Sequence, residues 1–370
     1  MRLAEFKLER YFAQYEFKVK HLLSASDCES LSVADLLAMA DKEGKELWDN
    51  LSLGYTQSQG HPLLLDEISK LYAKGNEALV IAPEEGIYIA LNSLLEKDDH
   101  VIIVHPAYQS LSEIPQSLGC TLSPWLLRVK DSHWELDLEH LKKMITSKTK
   151  LIIINFPHNP TGFTLSKSEW DRIVEIARKY GIYIFSDEMY RFSEYRESDC
   201  LEPVASRYEK GISLSGLSKS FGLPGLRMGW LATPDQGLFQ KFCKMKDYTT
   251  ICSSAPSEIL ALIALRAKEP ILERNLEIIK ENYQIAEKFF TAYSTLFEWL
   301  PPQAGPVAFP NLRLSKKIAD FCLDVVEKKN LMILPSQVFD IEGNFFRVGL
   351  GRKSLSTALA ILEEYIKENL

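Results

Sequence analysis

The sequence predicts an α/β protein: a large domain with a mainly parallel sheet covered by helices on both faces, plus a small α+β domain. Three observations lead there. The chain has 370 residues, more than one ordinary core sustains and right for one large domain with a smaller companion. Between about residues 79 and 231, short continuous apolar runs alternate with helical periodicity, the pattern of parallel strands buried on both faces. Beyond residue 316 the order becomes helix, strand, strand, helix, an α+β arrangement.

The first strand is Ala78-Leu-Val-Ile-Ala82, and Glu85 to Leu95 follows as a helix with Ile87, Leu91, Leu94 and Leu95 on one face. Val101–Val104 and Leu151–Ile154 are the next apolar runs. A capping box, Ser166-x-x-Glu169, opens a helix that ends near Tyr180. Ile182–Phe185, Ile212–Leu214 and Met228–Ala232 complete the strand series. A helical pattern from about 257 to 295 is interrupted near Pro270, and a helix at about 316–329 leads to strands Leu331–Leu334 and Phe345–Leu350. Leu355–Leu370 is the last helix. The first 45 or so residues lack the buried-strand pattern and are assigned to the smaller domain. The expected division is therefore 46–285 for the large domain, with 1–45 and 286–370 forming the small one.

Composition narrows the function. The chain is 46% hydrophobic and 25% charged with net charge −7, so a nucleic-acid backbone is not its expected partner. No run approaches the ~18 apolar residues of a membrane span, and acids within Met1–Arg10 rule out a secretion-signal core there. The cysteines at 28, 120, 200, 243, 252 and 322 show no CxxC and no metal-type spacing to the histidines. Reduced thiols in the cytoplasm and no metal centre are the expectation.

Ligands of open α/β sheets sit outside the carboxyl ends of the strands, so the residues just after each strand are the ones to inspect. They are Pro106-Ala-Tyr108; Asn155-Phe-Pro-His-Asn159-Pro-Thr-Gly162; Ser186-Asp187-Glu-Met-Tyr190; and Ser215-Gly-Leu-Ser218-Lys219-Ser-Phe-Gly222 with Arg227 beyond. An aromatic ring, an amide, a carboxylate, a phenol, an amine and a guanidinium converge on one edge. Together they suit pyridoxal 5′-phosphate (PLP). Its pyridine nitrogen stays protonated beside a carboxylate, and its phenolate oxygen takes an amide and a hydroxyl. Its phosphate takes Arg, hydroxyls and a helix N-terminus. Its aldehyde takes a lysine that serves later as general base.

Asn159-Pro-Thr-Gly162, Ser186-Asp187-Glu-Met-Tyr190 and Ser218-Lys219-Ser-Phe-Gly-Leu-Pro-Gly-Leu-Arg227-Met-Gly229 resemble, in order and spacing, the class I/II aminotransferases of PLP fold type I. The resemblance runs from Tyr55 to Arg347. It implies an enzyme that moves an amino group between an amino acid and a 2-oxo acid, both small molecules. Lys219 would carry the cofactor as a Schiff base, and Asp187 would pair with the pyridine nitrogen. Tyr190 and Asn159 would contact the phenolate oxygen, with Asn159 also near the substrate. Tyr108 would stack on the ring, while Arg227 and Ser218 would hold the phosphate. Tyr55, in Leu53-Gly-Tyr55-x-x-Ser58-x-Gly60, matches a tyrosine that reaches the phosphate of the other subunit, which implies a homodimer with shared sites. Arg347, in Phe345-Phe-Arg347-Val-Gly-Leu350, matches the arginine that grips the substrate α-carboxylate. Alternation along that strand sets Arg347 on the face opposite Phe346, Val348 and Leu350.

Two departures stand out. The family's glycine-rich turn before the phosphate-binding helix reads Ala82-Pro83-Glu84-Glu85 here; Pro83 has no N–H, and Glu84 brings a charge toward an anion, leaving its N–H as the donor. A serine common three residues before the lysine is Gly216, which leaves Ser218 to substitute. Blander roles stand beside these. Taken alone, Asp187 could be a helix cap, Asn159 a turn residue, Tyr108 a core aromatic, and Arg347 an ion-pair partner with Arg352 as its competitor for substrate; in their context the functional role is the expected one for each. His105 and His158 read as packing or hydrogen-bonding residues, and Cys252–Pro256 either as an approach to the partner's site or as a plain loop. The same cofactor residues also serve β-lyases and cyclising enzymes. The Phe156–Gly162 turn and the Glu84–Ile87 helix start resemble capreomycidine synthase-like members. A non-catalytic binding protein of the same fold is the remaining alternative.

Overall fold

A computed structural model describes residues 3–370. The chain opens with α1 (Lys7–Tyr15) and the short β1 (His21–Leu22). The sheet-forming part contains β2 (Glu77–Ile81), α2 (Pro83–Leu94), β3 (His100–His105), β4 (Thr121–Lys130), β5 (His133–Leu136) and β6 (Thr149–Asn155). It continues with α3 (Lys167–Tyr180), β7 (Tyr183–Asp187), β8 (Gly211–Gly216) and β9 (Gly229–Thr233). These eight strands form one sheet in the order β2-β9-β8-β7-β6-β3-β4-β5. The run β8-β7-β6-β3-β4 is parallel throughout, while β2, β9 and β5 add antiparallel edges. The predicted mainly parallel sheet is present.

Side-chain alternation shows why the central strands read as continuous apolar runs. Ile102, Val104, Ile152, Ile154 and Ile184 enter one hydrophobic core. Their neighbours Val101, Ile103, Leu151, Ile153 and Phe185 enter another on the opposite face. Helix α3 begins as expected: Ser166 Oγ accepts from Glu169 N at 3.3 Å and Glu169 Oε2 accepts from Ser166 N at 2.8 Å. It ends at Gly181, whose φ of 66° suits glycine.

Helices α4 (Ala255–Arg266) and α5 (Lys268–Ala292) replace the single interrupted helix, the break falling at Ala267 just before the predicted Pro270. There follow β10 (Val307–Ala308), α6 (Ile318–Lys329), β11 (Leu331–Met332), β12 (Leu334–Pro335), β13 (Phe346–Gly349) and α7 (Leu355–Asn369). The predicted strand 331–334 divides because it changes partners. β11 pairs in parallel with β1, whereas β12 pairs with β13, which also pairs with β10. Phe346, Val348 and Leu350 enter the core formed by α6 and α7.

Residues 24–28 run directly across this unit. A Cβ on Gly349 would lie 2.0 Å from the Ala25 carbonyl oxygen, and one on Gly351 2.4 Å from that of Asp27. Only glycine permits that approach. Among the described residues, no helix is long and apolar enough to cross a membrane, no group of His, Cys, Asp and Glu forms a metal cluster, and all six cysteines are free.

Candidate active site

The site gathers at the carboxyl ends of β6, β7 and β8. Asn155, the last residue of β6, is the hub, and the sequence reading did not single it out. Its Nδ2 donates to the Asp187 carbonyl at 2.8 Å, and its Oδ1 accepts from Asn159 N at 3.0 Å. One amide thus fixes two strand-end turns against each other. Asp187, last in β7, is buried. Its Oδ1 accepts from Met189 N at 3.1 Å. Burial pushes its carboxyl up to about 6, and the nearby Lys219 ammonium pulls the other way.

Lys219 lies just past β8. Its Nζ donates to Ser26 Oγ at 2.9 Å and sits 6.0 Å from the centroid of the Tyr190 ring. Its carbonyl accepts from Cys28 N at 3.3 Å and Gly222 N at 3.0 Å, so residues 26–28 pack against both ends of the lysine. Tyr190 and Ser218 are buried, and neither hydroxyl has a protein partner.

Arg347, in β13, is 1% exposed. Its Nε donates to the Ser24 carbonyl at 3.0 Å and its Nη1 to Asn159 Oδ1 at 3.0 Å, while Nη2 is buried without a partner. The guanidinium lies between the rings of Phe12 and Phe339, at 5.7 and 5.6 Å. Arg352, its competitor, is engaged elsewhere: Nε and Nη2 donate to the two Asp27 oxygens at 3.1 and 2.7 Å.

Tyr108 follows β3. Its hydroxyl donates to Glu9 Oε1 at 2.7 Å and its ring tilts against Phe6 at 5.0 Å. Burial, then the charges of Glu84 and Glu9, drive its pKa upward. Glu84 occupies the first turn of α2, where N–H groups have no helical acceptor. Pro83 stands at the first helical position, where a missing N–H costs nothing. Glu84 Oε2 accepts from Ser110 Oγ at 3.3 Å, and burial pushes its carboxyl up to about 7. The charge beside the expected anion is therefore weakened, the carboxyl being only partly ionised near pH 7. Arg227 has φ 54°, is exposed, and donates from Nη1 to the Pro224 carbonyl at 3.1 Å; its charge reaches Glu84.

Lys219, Asp187, Tyr190, Asn159, Arg347, Ser218, Tyr108 and Glu84 therefore share one region with Arg227 at its rim. Tyr55 does not join them within the chain. It is 94% exposed beside Cys252–Pro256, with Thr56 Oγ1 donating to the Ser253 carbonyl at 2.9 Å. His158 has both ring nitrogens occupied, by Thr161 Oγ1 and the Pro106 carbonyl at 2.8 Å each, and burial lowers it to about 3. It is a neutral packing residue. Glu9, Phe12, Ser24 and Ser26, which reach the site from the far end of the chain, carry no local motif.

A buried donor without a partner costs about 1–3 kcal/mol. The Tyr190 hydroxyl, the Ser218 hydroxyl and Arg347 Nη2 thus call for an oxygen-rich anionic ligand. Asp187 calls for a protonated ring nitrogen and Lys219 for a carbonyl carbon. PLP with an amino-acid carboxylate meets that donor set.

Known proteins agree. The aminotransferase class I and II family matches residues 20–360. A PLP-dependent aminotransferase from Streptococcus suis 89-1591 superposes with TM-score 0.92 at 29% identity, covering 100% of this chain and 99% of that one. Capreomycidine synthase of Streptomyces vinaceus is 25% identical over 96% of this chain and 92% of its own. A probable aspartate aminotransferase of Methanocaldococcus jannaschii is 26% identical, covering 92% and 94%. With fold, donor set and relatives in agreement, the chain belongs to the aminotransferase class I and II family, and it is an enzyme whose cofactor is pyridoxal 5′-phosphate.

Proposed function

We propose that the protein moves an amino group between an amino acid and a 2-oxo acid, with Lys219 as the catalytic amine and Arg347 as the clamp for the substrate α-carboxylate. The observation that carries this is Arg347 itself, a buried guanidinium with two nitrogens tied down and Nη2 free, in the same site as a lysine. A planar fork held this way suits a carboxylate.

When bound, PLP supplies an aldehyde that captures the amino group and an electron-poor ring that accepts the electron pair left at the α-carbon. Asp187, costly to ionise where it lies, holds the proton on the ring nitrogen. Tyr190 Oη and Asn159 Nδ2 would donate to the ring's oxygen, and Tyr108 would lie against the ring. Ser218, Arg227 and the Glu84 N–H would hold the phosphate, joined in a homodimer by the partner subunit's Tyr55. Lys219 Nζ takes the proton from the substrate's α-carbon and gives it back during transfer. Ser26, its partner at 2.9 Å, holds the amine in the site while it waits. We place this chemistry in the cytoplasm, in keeping with six free thiols.

The likeness to capreomycidine synthase favours one alternative, ring closure or loss of a β-group at the same site. Stoichiometry separates the two. Incubated with a panel of amino acids and no added oxo acid, the holoenzyme should release one oxo acid per site and stop. Repeated turnover with ammonia release would replace transamination with lyase chemistry.

A further inference from the structure

A phosphate ester near neutral pH carries a charge of about −1.5 to −2, and the cofactor brings it to a region that holds Glu84. The fold puts the Glu84 side chain there as well as its N–H. Strand β2 pairs with β9 so that Ile81 stands opposite Gly229. A Cβ on Gly229 would lie 3.1 Å from Pro83 Cγ, so the first turn of α2 rests directly against Arg227–Gly229. Toward β8, a Cβ on Gly86 would meet Leu214 Cδ1 at 2.8 Å. On the remaining side Ser110 Oγ, two residues past Tyr108, donates to Glu84 Oε2 at 3.3 Å. Glu84 thus lies between the turn that carries Arg227 and the turn that carries Tyr108, and its side chain is open to the cleft they frame.

We propose that Glu84 is itself a phosphate ligand, a neutral carboxyl group that donates a hydrogen bond to a phosphate oxygen, so that the site gains a proton together with its cofactor; this rests on the phosphate placement proposed above and not on the reaction catalysed. The charges around Glu84 are the reason. Glu9 from α1, Asp187 from the end of β7 and Arg227 from the turn before β9 face it, with the Tyr108 and Ser110 hydroxyls beside it. Lys219, past β8, donates to Ser26. Glu85, next on α2, accepts from Ala82 N, Thr249 and Thr250. Lys246, on the helix Gln236–Lys246 packed along α2, is fixed on the Ser58 and Val80 carbonyls. Three carboxyl groups therefore share one guanidinium before any phosphate arrives. An ionised Glu84 against a phosphate oxygen would be a like-charge pair with no further cation to offset it. A proton drawn from solvent and held between the two oxygens removes one negative charge and makes a strong O–H···O⁻ bond. The protein favours that proton beforehand: the crowding of the cleft walls, with the charges of Glu9 and Asp187, raises the carboxyl to about 7.

Cofactor binding tests this without turnover. PLP is titrated into the cofactor-free protein at several pH values between about 6 and 9, and its absorption gives the dissociation constant. If Glu84 must be neutral, affinity falls about tenfold for each pH unit above its pKa. Wild type should lose that factor, and Glu84→Gln, whose amide donates at every pH, should keep it. With the carboxyl near 7, the variant should match wild type at about pH 6 and bind PLP about tenfold tighter at about pH 8. Calorimetry in buffers of different ionisation heat should show wild type taking up about one proton more than the variant at that higher pH. Pyridoxal, which keeps the ring and the aldehyde and lacks the phosphate, should bind the two proteins alike. Parallel pH courses for PLP, tighter binding by wild type at the higher pH, or an equal difference with pyridoxal overturns the inference. Arg227→Gln separates this result from the placement of the phosphate. If it weakens PLP and spares pyridoxal while Glu84→Gln changes nothing, the phosphate lies where proposed and the Glu84 carboxyl is no ligand. If it weakens neither, the placement falls and the inference with it.

Discussion

Replacing Asp187 with Asn should stabilise the cofactor-free protein, although it removes a group on which the chemistry depends. Asp187 is 7% exposed, and its carboxyl is raised from 3.8 to about 6 by burial. Between those values the folded chain holds a proton at this position that the unfolded chain has released. Stability therefore falls as pH rises through the window, and the full cost is carried above it. A rise of about two pH units at about 1.4 kcal/mol each amounts to roughly 3 kcal/mol. Asn is nearly isosteric, and its Oδ1 still accepts from Met189 N. Glu84, raised to about 7 by burial and in part by the charge of Asp187, should be raised less in the variant, which adds to the variant's gain at neutral pH. Urea denaturation of the cofactor-free forms between pH 3.5 and 8 should show the two proteins level at the acid end. The variant should gain roughly 3 kcal/mol by pH 7–8. Adding PLP should reverse the order, since only a charged Asp187 rewards a protonated ring nitrogen. A difference that does not change with pH, or a variant less stable at pH 8, would refute the claim that burial of an ionised Asp187 strains the unliganded site.

Two further outcomes bear on the proposed roles. Arg347→Lys should weaken carboxylate binding roughly 10- to 100-fold, as loss of a charged hydrogen bond does, with the cofactor spectrum unchanged. Arg352→Lys should do less, and titration of both variants with an unreactive carboxylate ranks them. Mixing Tyr55→Ala and Lys219→Ala chains, each inactive alone, should restore up to roughly a quarter of the activity, because half the dimers are mixed and each has one intact site. Full activity of a dilute monomer would remove the shared site.

The parallel strands were legible because burial on both faces makes them apolar throughout: His100–His105 carries Val101, Ile102, Ile103 and Val104 without interruption. The residues after those strands were legible for the same reason, since a strand's end fixes where its next side chains emerge. Strands β4 and β5 escaped notice. They lie at the edge of the sheet, β4 has exposed positions along its length, and it contains Pro124, which argues against a central strand. The clamp's surroundings were hidden for another reason. Helix α1 and residues 24–28 carry no motif, and their meaning lies in contacts such as Tyr108–Glu9, 99 residues apart, and Arg347–Ser24, 323 apart. Periodicity reports which face of a helix is apolar. It does not report what that face will meet.

That last separation bears on how the protein is made. The eight strands of the large sheet are complete once residue 233 has been synthesised, and with them every strand end of the cofactor cradle. Ser24 must wait for Arg347, and β1 for its partner β11. At about 5–20 residues per second, the chain's first segment stays unpaired for roughly a quarter of a minute to a minute. During that time a chaperone, a protease or a second nascent chain can reach it. A nascent chain can thus form a place for the cofactor well before it has one for the substrate.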